Sequence, residues 1–561
     1  MFTHPARRGS WHTALRLATL CAAWAGLIGA DLFAPRGGSL AAAERTVLAV
    51  VTLDSYGDLR SQLQWLGGQV GQPALAGGLE SLLLMASQGR GLAGLDVKRP
   101  LGVVVTTDGN DVAVHGFVPV KNLDKLLDSL KGVTGPVEKA DDVRTIMLPS
   151  GLPLAIAERD GWAILTPQGG SLDAADPTPL FKHLSDDYSL GIEVFPSRMP
   201  EPLRLTLRLL LEQALAAAAN QGPPLDPRAV AVALDGLAST ESLSLGIAMD
   251  PEASQMFLEN RVVATPGSVG ADAMRGTAEG RATVPLPPAA DGGRPAIVGH
   301  IVQPVPQSAR EGVLGMIDQA LPPGSDDPLT ATIAALLREM IRSVLATGGI
   351  DAAVSADLAG GDGVRQPAVT AGVRVQDGTL LEAAVKRAFA PGGKAAKLLP
   401  AGVVVAFDVA KEAGTNLHTI RIDLEGTEAA EQLGTTLELT LAFAPEHAYV
   451  LSGADARKRM AAVLGRAARA DPAAQPIAGL QVAVDRMLAA AGQAAAARAD
   501  DAGGTVRLDV RPIDRGVQTR LSIDGSGLKA AAAAAPADAG GVGLAPGLPI
   551  PNGFPIPAPA R

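Results

Sequence analysis

The sequence predicts an α+β protein of two similar lobes, each a largely antiparallel sheet with amphipathic helices packed on it. Three observations predict it. Strand-like blocks recur in the same order in both halves of the chain. Tight turns such as Asp108-Gly109 join the strands into hairpins, and hairpins make antiparallel pairs. Between the hairpins, apolar residues recur at helical spacing, so helices with one apolar face are expected to cover the sheet.

The first 43 residues read as a secretory signal. Arg7, Arg8 and Arg16 make a positive start, and Leu17 to Ile28 is an apolar run too short to span a bilayer comfortably. Ala41-Ala42-Ala43 fits an A-x-A cleavage pattern, which places cleavage after Ala43; an uncleaved anchor is the alternative. Cys21 is the one cysteine, and Leu20 stands before it where a lipoprotein box needs a small residue. A chain cleaved after Ala43 therefore has no disulfide, thiol nucleophile or thiolate metal site.

The first copy is expected over 44–265. Thr46–Leu53 is its opening strand. Leu59, Leu63 and Leu66 draw a helix that follows Asp54-Ser55 and stops at Gly67-Gly68. Leu75, Leu79, Leu82, Leu83 and Ala86 draw a second helix. A hairpin follows around Asp108-Gly109, then a helix whose apolar face is Leu123, Leu126, Leu127 and Leu130. Val143–Leu148 is a strand, and Leu154–Leu165 a hairpin turning at Asp160-Gly161 with Trp162 starting its outgoing strand. Ser242–Val263 closes the copy with strand, turn and strand.

The second copy is expected over 294–527, after a Gly-, Ala- and Pro-rich linker at 266–293. Ala296–Gln303 matches Thr46–Leu53, Val369–Asp377 matches Val114–Asn122, and Leu417–Ile422 matches Val143–Leu148. Leu441–Ser452 matches Leu154–Leu165 and sets Tyr449 against Trp162, and Thr505–Ile523 matches Ser242–Val263. Asp327-Pro328 caps a helix with the stripe Leu329, Ile333, Leu336, Leu337, Met340, Ile341, Val344 and Leu345. Its polar face mixes Arg338, Glu339 and Arg342, which favours core packing over a membrane surface. An Ala-, Pro- and Gly-rich tail at 528–561 has the composition of a disordered segment.

Composition narrows the chemistry. Losing residues 1–43 removes four basic side chains (Arg7, Arg8, Arg16, Arg36) and one acid (Asp31), which takes the formal charge from -10 to -13. Such a surface repels phosphate backbones, so nucleic acid is not expected as a partner. Aromatics at 3% leave little for stacking surfaces. Gly89–Gly94, "GRGLAG", has dinucleotide-loop spacing but follows a helix and precedes a strand, the reverse of the order such a loop needs. No two of His115, His183, His300, His418 and His447 have ligand spacing, so a zinc site would have to gather ligands from distant segments. His115, His300 and His418 lie in strands and read as packed or rim residues, and His447 reads as a solvated turn residue. Ser526 and Lys529 make an S-x-x-K where the last strand meets the tail, a poor place to bury a catalytic lysine. The pairs Asp141-Asp142, Asp186-Asp187, Asp326-Asp327 and Asp500-Asp501 read as turn and cap residues. No catalytic, cofactor-binding or metal-binding residue is assigned.

The signal, the repeated strand–helix order and the "DGWAIL"-type hairpin resemble those of uncharacterised secreted bacterial proteins with a duplicated α+β unit. That resemblance covers most of the chain and transfers no functional residue. The expected function is that of an exported, periplasmic or extracellular, non-enzymatic protein. It would bind a polypeptide, a lipid or another cell-envelope component, with no cofactor and no integral membrane span after cleavage. A hydrolase with a site assembled from scattered residues, or a purely structural envelope component, are the alternatives.

Overall fold

The computed structural model describes residues 45–534, except 110, 149–150, 207–208, 210–235, 237–238, 269–270, 273–282, 286–294, 306, 321–326, 358–367, 394, 429, 431–433, 454, 468–475 and 491–502. The expected signal, much of the expected linker, Asp326, Asp500-Asp501 and the tail after 534 lie outside the described residues.

The first half forms β1 (Thr46–Leu53), β2 (Leu101–Thr107), β3 (Val112–Pro119), β4 (Glu138–Ala140), β5 (Val143–Met147), β6 (Pro153–Arg159), β7 (Trp162–Pro167), β8 (Leu190–Val194), β9 (Thr240–Asp250) and β10 (Gln255–Ala264). The second half forms β11 (Ile297–Pro304), β12 (Gly349–Asp357), β13 (Ala368–Arg374), β14 (Val403–Glu412), β15 (Thr415–Asp423), β16 (Thr436–Ala444), β17 (His447–Ser452), β18 (Ala478–Ala483), β19 (Thr505–Ile513) and β20 (Gly516–Asp524). All pair antiparallel in one 20-stranded sheet. The spatial order is β4-β5-β6-β7-β3-β2-β1-β8-β9-β10-β20-β19-β18-β11-β12-β13-β17-β16-β15-β14. Read outward from the β10–β20 ladder, both halves pair their strands in the same order.

Helices fill matching intervals. α1 (Tyr56–Gln69) and α2 (Leu75–Ala86) follow β1, and α5 (Gln307–Ala320) and α6 (Pro328–Ala346) follow β11. α3 (Leu123–Thr134) follows β3, and α7 (Gly378–Phe389) follows β13. α4 (Thr178–Ser185) and α8 (Ala456–Ala467) follow β7 and β17; α9 (Val484–Ala490) follows β18 and α10 (Gly525–Ala534) follows β20. The starts of α3 and α7 are written in sequence: Asn122 accepts from the Lys125 amide, and Asp377 accepts from the Thr379 and Leu380 amides. Such caps are worth about 1 kcal/mol each.

Both faces of the sheet are covered near β7 and β17. Trp162 joins Phe117, Ile164 and the α4 residues Phe181 and Leu184 on one face. Its neighbour Ala163 joins Leu123, Leu126 and Leu127 of α3 on the other, as strand alternation requires. In the second half Tyr449 packs with Met460, Val463 and Leu464 of α8, and Ala448 with Val344 of α6 and Leu381 of α7. At the midline the β10–β20 ladder buries Glu259, which accepts from the Tyr188 hydroxyl and Arg261 at 2.6 Å and from Gln518 and Arg520 at 2.5 Å. Burial raises its carboxyl, but the hydrogen bonds from Tyr188, Gln518 and Arg520, with the Arg520 charge, outweigh burial and hold it below the usual carboxylate range.

The structure corrects several expectations. Trp162 and Tyr449 do not occupy the same place. Val120 donates its amide to the Gly161 carbonyl and Val375 donates to the Glu446 carbonyl, both at 2.9 Å, which aligns Gly161 with Glu446. Trp162 therefore aligns with His447, and Tyr449 with Ile164. A two-residue slip keeps a side chain on its face, so the sequence pattern alone does not detect it. His447 is a half-buried strand residue, because the turn is Pro445-Glu446. Within the expected linker, Thr283 bonds Asp351 and Val284 enters the core beside Tyr449. The expected tail begins helical: α10 runs to Ala534 and buries Ala530, in keeping with alanine's helix propensity. In β9 the small and polar Ser242, Ser244, Gly246 and Ala248 are buried while Leu243, Leu245 and Ile247 are half-buried. The Tyr188 ring lies over Gly246, where a Cβ would stand 2.1 Å from Cδ1.

Candidate functional site

Three segments of the second half meet around His418. The Asp377 cap starts α7 so that Glu382 and Lys386 lie one turn apart on one side. In β14 the register with β15 slips between Ala406 and Ala410, and Asp408 takes a left-handed backbone with φ 55°. Such bulges re-aim side chains. In β15, Leu417 points into the Tyr449 core, so His418 points to the opposite face, toward α7.

His418 is fully buried. Its Nδ1 accepts the Asp408 amide at 3.1 Å, which puts the proton of a neutral ring on Nε2. Nε2 lies 3.3 Å from Glu382 Oε1, off hydrogen-bond alignment, and has no hydrogen-bond partner among the described residues. Phe407 and Phe443 flank the ring at 5.4 and 6.0 Å between centroids. Lys386 Nζ stands 2.7 Å from Glu382 Oε1 and 2.7 Å from Asp408 Oδ1, and Asn416 donates to Glu382 at 3.0 Å.

Burial lowers the His418 pKa, only partly opposed by the Glu382 charge. Burial raises Glu382, but hydrogen bonds from Asn416 and Lys386 outweigh it and hold the carboxyl low. Burial lowers Lys386, but Asp408 and Glu382 outweigh it and keep the ammonium charged. The centre is thus a neutral imidazole, an ionised Glu382 and a lysine shared with Asp408. A histidine–carboxylate pair is half of a nucleophilic apparatus. Here Nδ1 is taken by a backbone amide, and no serine, threonine or cysteine hydrogen-bonds the ring among the described residues. The donor set suits a cation better: Glu382, Asp408 and His418 offer ligand atoms within 4.8 Å of one another, the one such group of three among the described residues.

Other histidines are placed apart. His115 is buried with Nε2 bonded to the Ser171 carbonyl at 3.0 Å, and His300 Nε2 bonds the Pro476 carbonyl at 2.7 Å. His183 lies on α4, 3.8 Å from Glu193. His447 stacks on Tyr449 and lies 3.4 Å from Thr283 Oγ1. The Gly89–Gly94 stretch is the loop between α2 and β2, tight because a Cβ on Gly94 would stand 2.3 Å from the Asn122 carbonyl oxygen. Ser526 and Lys529 lie on α10 rather than at the head of a disordered tail. Asp327 caps α6, Asp141-Asp142 turns between β4 and β5, and Asp186-Asp187 ends α4. Of the cluster, only His418 was legible as a candidate. Glu382 reads as an ordinary helix acid, and the turn of Asp408 is made by a bulge with no local signature.

Compared with known proteins, the chain matches no protein-family model, no curated protein and no solved structure, and the meaning of the His418 centre rests on its geometry alone.

Proposed function

We propose that this chain is an exported, non-enzymatic protein, periplasmic or extracellular, built from two copies of one ten-stranded unit and related to secreted bacterial proteins of that design. Its role is to hold an extended polypeptide segment of a cell-envelope partner along the outer edge of β14.

One observation carries the reading: the two edges of the sheet are unequal. β4 is three residues long, exposed throughout and carries Glu138 and Lys139, a blunted edge of the kind that discourages pairing. β14 is ten residues long, pairs only with β15 among the described residues, and begins Val403-Val404-Val405. Val404 is 59% exposed. An edge of this kind accepts another strand through main-chain hydrogen bonds, with alternate side chains reading the guest. The bulge after Ala406 limits the regular stretch to Val403–Ala406 and so limits the guest to a short segment. No helix among the described residues is long and apolar enough to cross a membrane.

The test selects a random-peptide library on the native protein and follows hydrogen exchange with a selected peptide bound. Slowed exchange at Val403–Ala406, lost in Val404→Lys, is the expected result. Peptides that protect some other element, or none selected at all, would overturn it.

A further inference from the structure

We infer that Glu382, Asp408 and His418 form a binding site for a divalent transition ion, zinc above others, and that Lys386 is the internal cation the metal displaces. This goes beyond the strand-binding role and does not depend on it.

The first support is the donor set. One imidazole nitrogen and two carboxylates lie within 4.8 Å of one another from α7, β14 and β15, with His418 Nε2 3.3 Å from Glu382 Oε1. Imidazole with carboxylate suits zinc and its neighbours, whereas calcium and magnesium prefer oxygen alone. Independent of the acids is the ring itself. His418 is fully buried and its Nε2, aimed at Glu382, has no hydrogen-bond partner among the described residues. Buried polar atoms are rarely left so.

The same place in the first half sharpens the reading. β5 and β6 pair Arg144 with Ile156, as β15 and β16 pair His418 with Leu441, and both residues face the helix that follows the third strand of their half. Arg144 pairs there with Asp124 of α3 at 2.8 Å. That position carries a fixed cation and one carboxylate. In the second half the fixed cation is replaced by an imidazole, two carboxylates gather, and the balancing charge sits on a flexible lysine whose side chain is 29% exposed. Lys386 can swing to solvent without unfolding its helix.

Proton placement sets the terms of binding. A neutral ring that accepts the Asp408 amide at Nδ1 carries its proton on Nε2. Coordination through Nε2 requires that proton to pass to Nδ1, and the Asp408 amide to release the ring. No net proton leaves the imidazole, and Lys386 departs as an ammonium. Both rearrangements oppose binding, so the site is weaker than a closed structural zinc site. Asp408, half in solvent, leaves the ion open to water on one side.

The experiment is calorimetric titration of the chelator-treated full chain with zinc chloride, with cobalt(II) absorption reporting the ligand set. One saturable zinc per chain is expected. Asp408→Asn, whose side chain is largely exposed, should keep the circular dichroism of the parent and weaken zinc about tenfold or more, as should Glu382→Gln. Lys386→Met should tighten zinc by about fivefold, by removing the competing cation. Absence of saturable binding, or binding that Asp408→Asn and Glu382→Gln leave unchanged, would overturn the site. Unchanged affinity in Lys386→Met would overturn the displacement.

Discussion

The two halves fill the same sheet position with opposite solutions. On β3 and β7, Phe117 faces Ile164; at the equivalent pair on β13 and β17, Gly372 faces Tyr449. The ring has moved to the neighbouring strand, and a glycine makes room for it: a Cβ on Gly372 would stand 2.6 Å from the Tyr449 ring. In the first half Phe117, Trp162 and Phe181 meet edge to face at 5.7–6.1 Å, and the Arg99 guanidinium lies 4.0 Å from the Trp162 ring centre. In the second, Tyr449 stands with His447 against it and its hydroxyl buried without a partner among the described residues. The sheet therefore fixes where volume is needed, not which residue supplies it. Two halves with the same strand order can place large and small residues on opposite sides of one pair while the ladder stays intact.

The largest expected effect breaks the aromatic half of that comparison. Trp162→Ala should lose about 3–5 kcal/mol in denaturant unfolding, because it deletes a buried ring from a packed trio. Tyr449→Phe should lose nothing and gain slightly, since the hydroxyl it removes bonds to none of the described residues. A loss above about 1 kcal/mol for Tyr449→Phe would mean that the hydroxyl has a partner, such as ordered water. Next in size, Gly372→Ala should lose about 1–3 kcal/mol by overpacking. Placed in a Tyr449→Ile background, which supplies the residue of the first half, it should lose less, with Val284 Cγ1, 2.8 Å from that Cβ, as the remaining contact. Additive losses in that double variant would end the volume-exchange reading.

Acid tests the halves through buried His115 in the first and half-buried His447 in the second. Burial lowers the pKa of His115, despite the Ser171 carbonyl, and lowers that of His447, despite Asp351. A ring that protonates less readily folded than unfolded adds nothing above its unfolded value, about 6.5. Below it the unfolded chain takes up the proton first, so stability falls as pH drops through 6.5 toward the lowered folded value. Thermal unfolding from pH 8 to 5 should show that slope, and His115→Phe should flatten it. The smallest effect belongs to the edge: Val404→Lys should change stability by no more than about 0.5 kcal/mol, because the side chain is largely in solvent. A larger loss would show that β14 is part of the core and not a docking edge.

Much of the scaffold was legible. Turn residues at Asp108-Gly109 and Asp160-Gly161, caps at Ser55 and Asp327, and the leucine stripe of α3 are local features with local causes. Non-local features were not. The exact pairing of Trp162 and Tyr449 depends on hairpin register, and a slip of two leaves every side chain on its expected face. The buried Gly246 of β9 answers the Tyr188 ring, which comes from a distant stretch of sequence. The His418 centre needs a helix, a bulge and a strand to converge, and only the strand histidine carries a readable chemistry of its own.

The ladder at the midline has a mechanical consequence. Nine consecutive residue pairs, from Gln255↔Asp524 to Val263↔Gly516, tie the halves together, with Glu259 pinned by four donors in their midst. A hinge concentrates rotation in a few unpaired residues, and a boundary of this kind offers none. The halves cannot open and shut like jaws. Strain delivered at β14 can pass inward strand by strand, as a change in the coil of a single ribbon.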